Sequence, residues 1–308
     1  AQTVRDFFQK NNIMAKSVAT SVSGNAVIVR YVKLSKLSKK ELAFTLPVEA
    51  EPFIPFDIKE VDLGCHILGD VMEEGQKKME TVLVAAKKEI IKDRMDILSA
   101  AGLQPLIIDV DAFTLETVYE KNRGSQDADT LLFLNMGHRV TNLSILEKGV
   151  AKVVRDIFIA GVTMDKAIQK VLQSDLAEAE EAKKTKGVLI SSEEKEAAIQ
   201  ADDREALGIS KAASGVLRDL AGEISRSVDF YLSQGAEHSI GKILLSGGMA
   251  NFRNISQFLS AEFKVPVEIM NPISFMENQG KDIPKEILPT LAVATGLALR
   301  QTGDWEQG

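Results

Sequence analysis

Residues 131–145 read "LLFLNMGHRVTNLSI". An apolar run stops at Asn135-Met136-Gly137 and resumes at Asn142-Leu143-Ser144-Ile145, the pattern of a strand, a tight turn and a second strand. Gly137 allows either a positive φ or a close approach of the backbone to a ligand. The surrounding amides and the Thr141 hydroxyl would then make an anion-binding concavity. A plain hairpin turn has the same composition, and this stretch alone leaves both readings open.

Two further stretches bear on the choice. "KILLSGGMANF" (242–252) is a buried strand that delivers Ser246-Gly247-Gly248 to a helix start. Missing Cβ atoms there permit flat contact with a planar base or a sugar, although a junction that merely needs positive φ reads the same way. "AEEAKKTKG" (179–187) places Glu180 and Lys183 on one helix face. They suit a ribose hydroxyl and a phosphate, or simply a solvated charged surface. A strand hairpin, then a Glu/Lys helix, then strand–Gly-Gly–helix is the order found in an actin-type nucleotide cleft.

The rest of the chain alternates strands and helices. Helix is expected over 3–12, a hairpin over 17–34 turning at Ser23-Gly24-Asn25, and a helix over 39–54 interrupted by Pro47. Strands at 61–68 and 79–86 flank a polar loop. A helix over 87–101 carries Ile91, Met95 and Leu98 on its inner face and ends at Gly102. "PLIIDV" (105–110) reads as a strand buried inside a sheet, 112–122 as a helix, and the polar 123–130 as the linker between two halves. Beyond the opening motif come a strand (151–159), helices (161–172 and 175–187) and a segment without apolar period, 188–203, that reads as a solvated insertion. A long helix over 204–234 buries Leu217, Leu220, Ile224, Val228 and Tyr231; a strand (265–272) and an apolar helix (288–300) follow.

Composition excludes several classes. The 308 residues carry a formal charge of −7 and a pI near 5.3 without a Lys/Arg cluster, which argues against nucleic acid as partner. A single cysteine, Cys65, rules out an internal disulfide and suits a reducing compartment. His66, His138 and His238 have no metal-ligand spacing, and the neighbouring Cys65–His66 pair lacks a third group to orient a base. No apolar run approaches the ~20 residues of a membrane helix, and the start has no signal-peptide core. The expectation is a cytoplasmic protein.

The stretches "EAEPFIPFDIKEVD", "VLVAAKKEII", "AAGLQPLIIDVDAF", "NMGHRVTNLSI", "AEEAKK", "GEISRSVDFYL", "LLSGGMANF" and "LAVATGLALR", in this order over about residues 1 to 300, resemble the PilM family, actin-like and FtsA-related assembly proteins of type IV pili. The resemblance implies an α/β, actin-like (ribonuclease-H-type) two-domain ATPase fold with an FtsA-type 1C subdomain. Residues 1–15, 96–128 and 289–308 would form subdomain 1A, 16–95 subdomain 1C, 129–173 with 241–288 subdomain 2A, and 174–240 subdomain 2B.

Carried over from the family, Asn135, Gly137, Thr141 and Asn142 would line the second phosphate loop, and Glu180 and Lys183 would approach the ribose. Gly247, Gly248 and Met249 would meet the adenosine, Glu223 and Arg226 would edge the purine, and Asp109 with Asp111 would order water or magnesium. The implied cofactor is ATP or ADP with magnesium. Two departures count against catalysis: the family's "DIGSSSIK"-like phosphate hairpin has no counterpart here, and Asn135 stands where many relatives have Asp.

The resemblance further implies a pilus-assembly scaffold serving twitching motility. It would bind the N-terminal cytoplasmic peptide of the membrane protein PilN in a 1A/1C groove, peripheral to the inner membrane, with motor ATPases, the platform protein and a homo-oligomer as further partners. The groove is sought near 20–34 and 49–63. Competing readings are an ATP-dependent enzyme of the actin/sugar-kinase superfamily and an FtsA-like division protein. The tail "RQTGDWEQG", with Trp305 and no apolar stripe, lacks the amphipathic helix of the latter.

Overall fold

A computed structural model describes residues 1–122, 130–235, 239–276 and 283–301. The expected linker, apart from Thr130, lies outside these residues, as do His238 and Trp305. The chain forms two compact units, Ala1–Phe113 with the residues from Leu297 onward, and Thr114–Gly296.

The first unit runs α1 (Gln2–Lys10), β1 (Ser17–Val22), β2 (Val27–Ser35), α2 (Lys39–Ala50), β3 (Val61–Glu73), β4 (Gln76–Lys87), α3 (Lys88–Ala100), β5 (Gln104–Val110) and the start of α4 (Asp111–Asn122). β1 pairs in parallel with β5, whereas β2 joins an antiparallel sheet of order β2-β4-β3. The expected 17–34 hairpin is therefore corrected, because its two strands enter different sheets. The reason is long-range: Ser21 and Ser23 hydroxyls donate to the Asp111 carboxylate at 2.5 and 2.6 Å, tying the end of β1 to the start of α4.

Strand alternation gives β4 two working faces. Met79, Leu83 and Ala85 pack with Val32, Leu34 and Val61 beneath Leu42 and Ala50 of α2. Val82, Val84 and Ala86 belong to the opposite face. α2 opens on a Ser38/Glu41 capping box and continues through Pro47, contrary to the expected interruption. The ring removes the amide that would bond Ala43, and both residues sit on the exposed side of the helix. The expected polar loop between β3 and β4 shrinks to Glu74-Gly75, both at positive φ (51° and 77°), the signature of a two-residue hairpin turn. No side chain of α3 is buried and Met95 is 44% exposed, so its inner stripe was overstated. β5 likewise buries only its last two residues, because a two-stranded sheet leaves most of it uncovered.

The second unit continues with β6 (Thr130–Met136), β7 (Thr141–Glu147), β8 (Val150–Ile157), α5 (Gly161–Leu172), α6 (Leu176–Thr185), α7 (Ser192–Gln200), α8 (Arg204–Ser233), β9 (Lys242–Ser246), α9 (Ile255–Phe263), β10 (Val267–Ile269) and α10 (Ala292–Leu299), the last crossing back to the first unit. Its sheet has the order β10-β9-β6-β7-β8, an antiparallel meander flanked by parallel β9 and β10. Every residue of β6 is buried, as a central strand covered on both faces requires. The stripe read from α8 is in place, with Leu217, Leu220, Ile224 and Tyr231 in the core and Val228 against it. The 188–203 segment is more than a solvated insertion: Val188 and Leu189 are buried and a Ser191/Glu194 capping box starts α7.

Candidate functional site

Both glycine corners of the second unit open on one cavity of about 520 Å³, lined by Gly137, His138, Gly161, Glu180, Lys183, Lys184, Gly248, Met249, Asn251, Phe252, Glu286 and Thr290. The β6–β7 corner is closed by the Gly137 amide donating to Val140 O at 3.0 Å, and a Cβ at Gly137 would lie 2.9 Å from that oxygen. Glycine is thus needed for close approach rather than for positive φ. The N-terminus of α5 docks on the same corner: Gly161 N donates to Gly137 O at 3.0 Å and Val162 N to His138 O at 2.7 Å. This turns the positive end of the α5 dipole toward the cavity rim.

The second corner presses on the first. Gly247 has φ +82°, and a Cβ there would stand 2.5 Å from Met136 O. Its amide donates to Pro289 O at 2.8 Å, and the chain enters a short 3₁₀ turn, Gly248–Asn251, whose Met249 is buried.

Beneath the cavity floor lies a carboxylate that the sequence did not single out. Asp165 of α5 is 1% exposed, and its Oδ1 is 2.6 Å from Lys183 Nζ of α6. That contact is an ion pair off hydrogen-bond alignment, since Oδ1 has no aligned donor. His138 Nδ1 is 3.8 Å from the other oxygen, Oδ2. Glu180 is exposed, 3.6 Å from Lys184.

The other expected site residues make the following contacts. Asn135 and Asn142 are buried members of a row crossing four strands: Ser246 Oγ donates to Asn135 Oδ1 (3.3 Å), Asn135 Nδ2 to Asn142 Oδ1 (2.8 Å), and Asn142 Nδ2 to Asp156 Oδ1 (2.7 Å). An aspartate at 135 could not donate in this row. Thr141 Oγ1 donates to Ile159 O at 2.8 Å. The structure does not bring Glu223 and Arg226 to the cavity; Glu223 pairs with Arg226 and with Arg155 of β8. Asp109, in the first unit, is held by Arg300 at 2.5 Å and by the Val110 amide, so a magnesium ion there would have to displace an ion pair. Burial pushes its carboxyl up, against the pull of Arg300. Among the described residues no three His, Cys, Asp or Glu side chains converge on a metal position.

The first unit has its own cavity, about 370 Å³, on the face of the sheet opposite α2. Val82, Val84 and Ala86 of β4, Val22 of β1, Ile108 and Val110 of β5 and Phe113 give it apolar walls, with Asp62, His66 and Asp109 as its polar groups, whereas the Cys65 side chain, in register with Leu83, packs against the α2-side core. Burial raises the Cys65 thiol and lowers the His66 imidazole, helped by Lys39. A thiol favoured in its protonated form on one face of β3 and an imidazole on the other do not make an activated pair.

Among solved structures the chain is similar to the PilM–PilN type IV pilus biogenesis complex, at 28% identity and a TM-score of 0.82, over 97% of this chain and 83% of that one. It is also similar to MreB5 of Spiroplasma citri bound to ADP, at 16% identity and a TM-score of 0.50 over 72% and 68%, a likeness in fold alone. The fold is that of the actin-like proteins. The family described as type IV pilus assembly protein PilM matches residues 1–200 and 209–302, and the chain belongs to that family.

Proposed function

We propose that this chain is a nucleotide-binding scaffold of the type IV pilus machine that holds the N-terminal cytoplasmic peptide of a PilN-type membrane protein and links it to the motor. The observation that carries this reading is the likeness, over nearly the whole chain, to a PilM bound with PilN. The apolar cavity of the first unit supports it physically. Among the described residues β3 pairs with β4 alone, so its outer edge offers main-chain groups to an extended peptide, while Val82, Val84 and Ile108 take apolar side chains. No helix among the described residues is long and apolar enough to cross a membrane. On this reading the bound peptide supplies the attachment to the inner membrane. Motor ATPases, the platform protein and further copies of the chain are the additional partners implied. We read 1A, 1C, 2A and 2B along the divisions given above, with α6 and α7 in 2B.

The cavity of the second unit fits ATP or ADP. Its volume lies in the usual ligand range of about 300–1,000 Å³, its corners lack Cβ atoms, and it pairs lysines with a ribose-suited carboxylate. Gly137, His138 and Lys183 would hold phosphates, Glu180 the ribose, and Gly248 and Met249 the base. A bound nucleotide would shift the balance of conformations rather than turn over. Titrating the chain calorimetrically with a synthetic PilN N-terminal peptide tests the main claim. Affinity in the micromolar range, about −8 kcal/mol, is expected, and heat indistinguishable from dilution would end it.

A further inference from the structure

The charges around the second unit's cavity do not balance in favour of an anion. Two lysines, Lys183 and Lys184, face three carboxylates, Glu180 and Glu286 on the wall and Asp165 beneath it. With a neutral His138 the site is one charge negative, and with an imidazolium it is neutral. Lys183 is moreover drawn down onto Asp165 at 2.6 Å, which spends much of its field on a buried partner rather than on the cavity. The one adjustable charge at the phosphate corner is therefore His138. It is exposed, it lines the cavity, and its Nδ1 faces Asp165 Oδ2 at 3.8 Å, which leaves Nε2 on the far side of the ring. Arg139, the other charge on that turn, is exposed and does not line the cavity.

We propose that His138 is a phosphate ligand whose proton is held by the buried Asp165, so that a nucleoside diphosphate or triphosphate enters this cavity together with a proton. This rests on the nucleotide reading of the cavity and adds a regulatory property to it. When phosphate arrives, Nδ1–H donates to Asp165 and Nε2–H donates to a phosphate oxygen, and the imidazolium stands between two anions that each favour its charged form. Asp165 is a positioning residue in this scheme, because it acts on the ligand only through His138 and Lys183. The sign follows from linkage: a ligand that binds the protonated form better binds more tightly as pH falls through the imidazole range.

The test is ADP binding to the full chain, followed by calorimetry at fixed magnesium, at pH 6 and pH 8, for the parent and His138→Gln. His138→Gln is read as the reference because ADP's own phosphate titrates over the same interval in both proteins. The parent is expected to gain at least about fivefold in affinity at pH 6 relative to pH 8 beyond whatever change His138→Gln shows, because binding that takes up one proton strengthens by up to about tenfold per pH unit. In ¹³C-histidine-labelled chain, the ring signal absent from His138→Gln is expected to move toward its protonated position when ADP is added at pH 7. Equal pH dependence in the two proteins, with ADP still bound, overturns the proton coupling and leaves the nucleotide site standing. No ADP binding by the parent at either pH removes the site and the coupling together.

Discussion

The cavity of the second unit and the groove of the first are made by opposite means. The former exists because side chains are missing: Gly137, Gly161 and Gly247 let β6, α5 and β9 come within hydrogen-bonding range, and charged residues from α6 close the space. The latter exists because side chains are present, as the outward half of an alternating strand walled in part by Ile91 of α3 and Phe113 of α4. The comparison teaches that a polar ligand site is sensitive to any added atom at its corners, whereas an apolar groove tolerates reshaping and fails mainly when it is filled or charged.

The sharpest way to break this contrast is Lys183→Met. It leaves Asp165 buried without its counter-ion, and a loss of about 3–5 kcal/mol in urea unfolding is expected, together with loss of ADP binding. Lys183→Met with Asp165→Leu should restore most of the stability but none of the binding; recovery of both would show that the pair is structural only. Next in size is Gly247→Ala, which combines a disfavoured φ with a Cβ 2.5 Å from Met136 O. A cost of about 2–4 kcal/mol in the same measurement is expected. The same change at Gly75, where a Cβ meets nothing within 4 Å, should cost only the ~1 kcal/mol of the backbone conformation.

The groove is probed by Val84→Arg, which sets a charged chain among its apolar walls. The change is expected to lower PilN-peptide affinity at least about tenfold, ~1.4 kcal/mol, and to leave ADP binding unchanged. On the opposite face of the sheet, burial raises the Cys65 thiol against the α2-side core, so its alkylation should be slow at pH 7, speed up as pH rises, and be indifferent to bound peptide.

The smallest effect concerns neither cavity. Glu73 bridges Lys33 and Lys78 at 2.7 Å each, and these contacts lower its pKa from the ordinary 4.5 to about 2. A depressed carboxyl adds stability above its unfolded pKa and loses it as pH falls through the folded one. Glu73→Gln should therefore be slightly less stable at pH 6, with the gap narrowing from pH 4.5 toward 2. The pair is solvent-exposed, so a large gap at pH 6 would be a surprise.

What could be read from the chain beforehand divides along the same line. Glycine at a corner is legible because few other needs place it there, and Gly137 and Gly248 do meet at one cavity. Glu180 and Lys183 are legible because three residues along a helix fix a shared face. The family was legible too, since eight stretches kept their order from end to end. Partners remote in sequence were not. Nothing near residue 21 announces Asp111, ninety positions away, so β1 looked like half of a hairpin. Nothing near Lys183 announces Asp165 on another helix, and the motif around Glu223 and Arg226 said helix without saying that Arg155 would claim the carboxylate. Periodicity identifies a strand or a stripe, but whether it is covered depends on the size of what lies opposite, which is why α3 and β5 are more open than their sequences suggest.

The row from Ser246 through Asn135 and Asn142 to Asp156 has a consequence for how the central sheet assembles. Each link joins neighbouring strands at one rung, so sliding any strand by a single residue would strand several amide and carboxylate groups among hydrocarbon with no water to greet them. Wrong alignments of these otherwise interchangeable Leu- and Ile-rich ribbons are thereby penalised at once and together, and the meander has one alignment in which every amide of the row is answered.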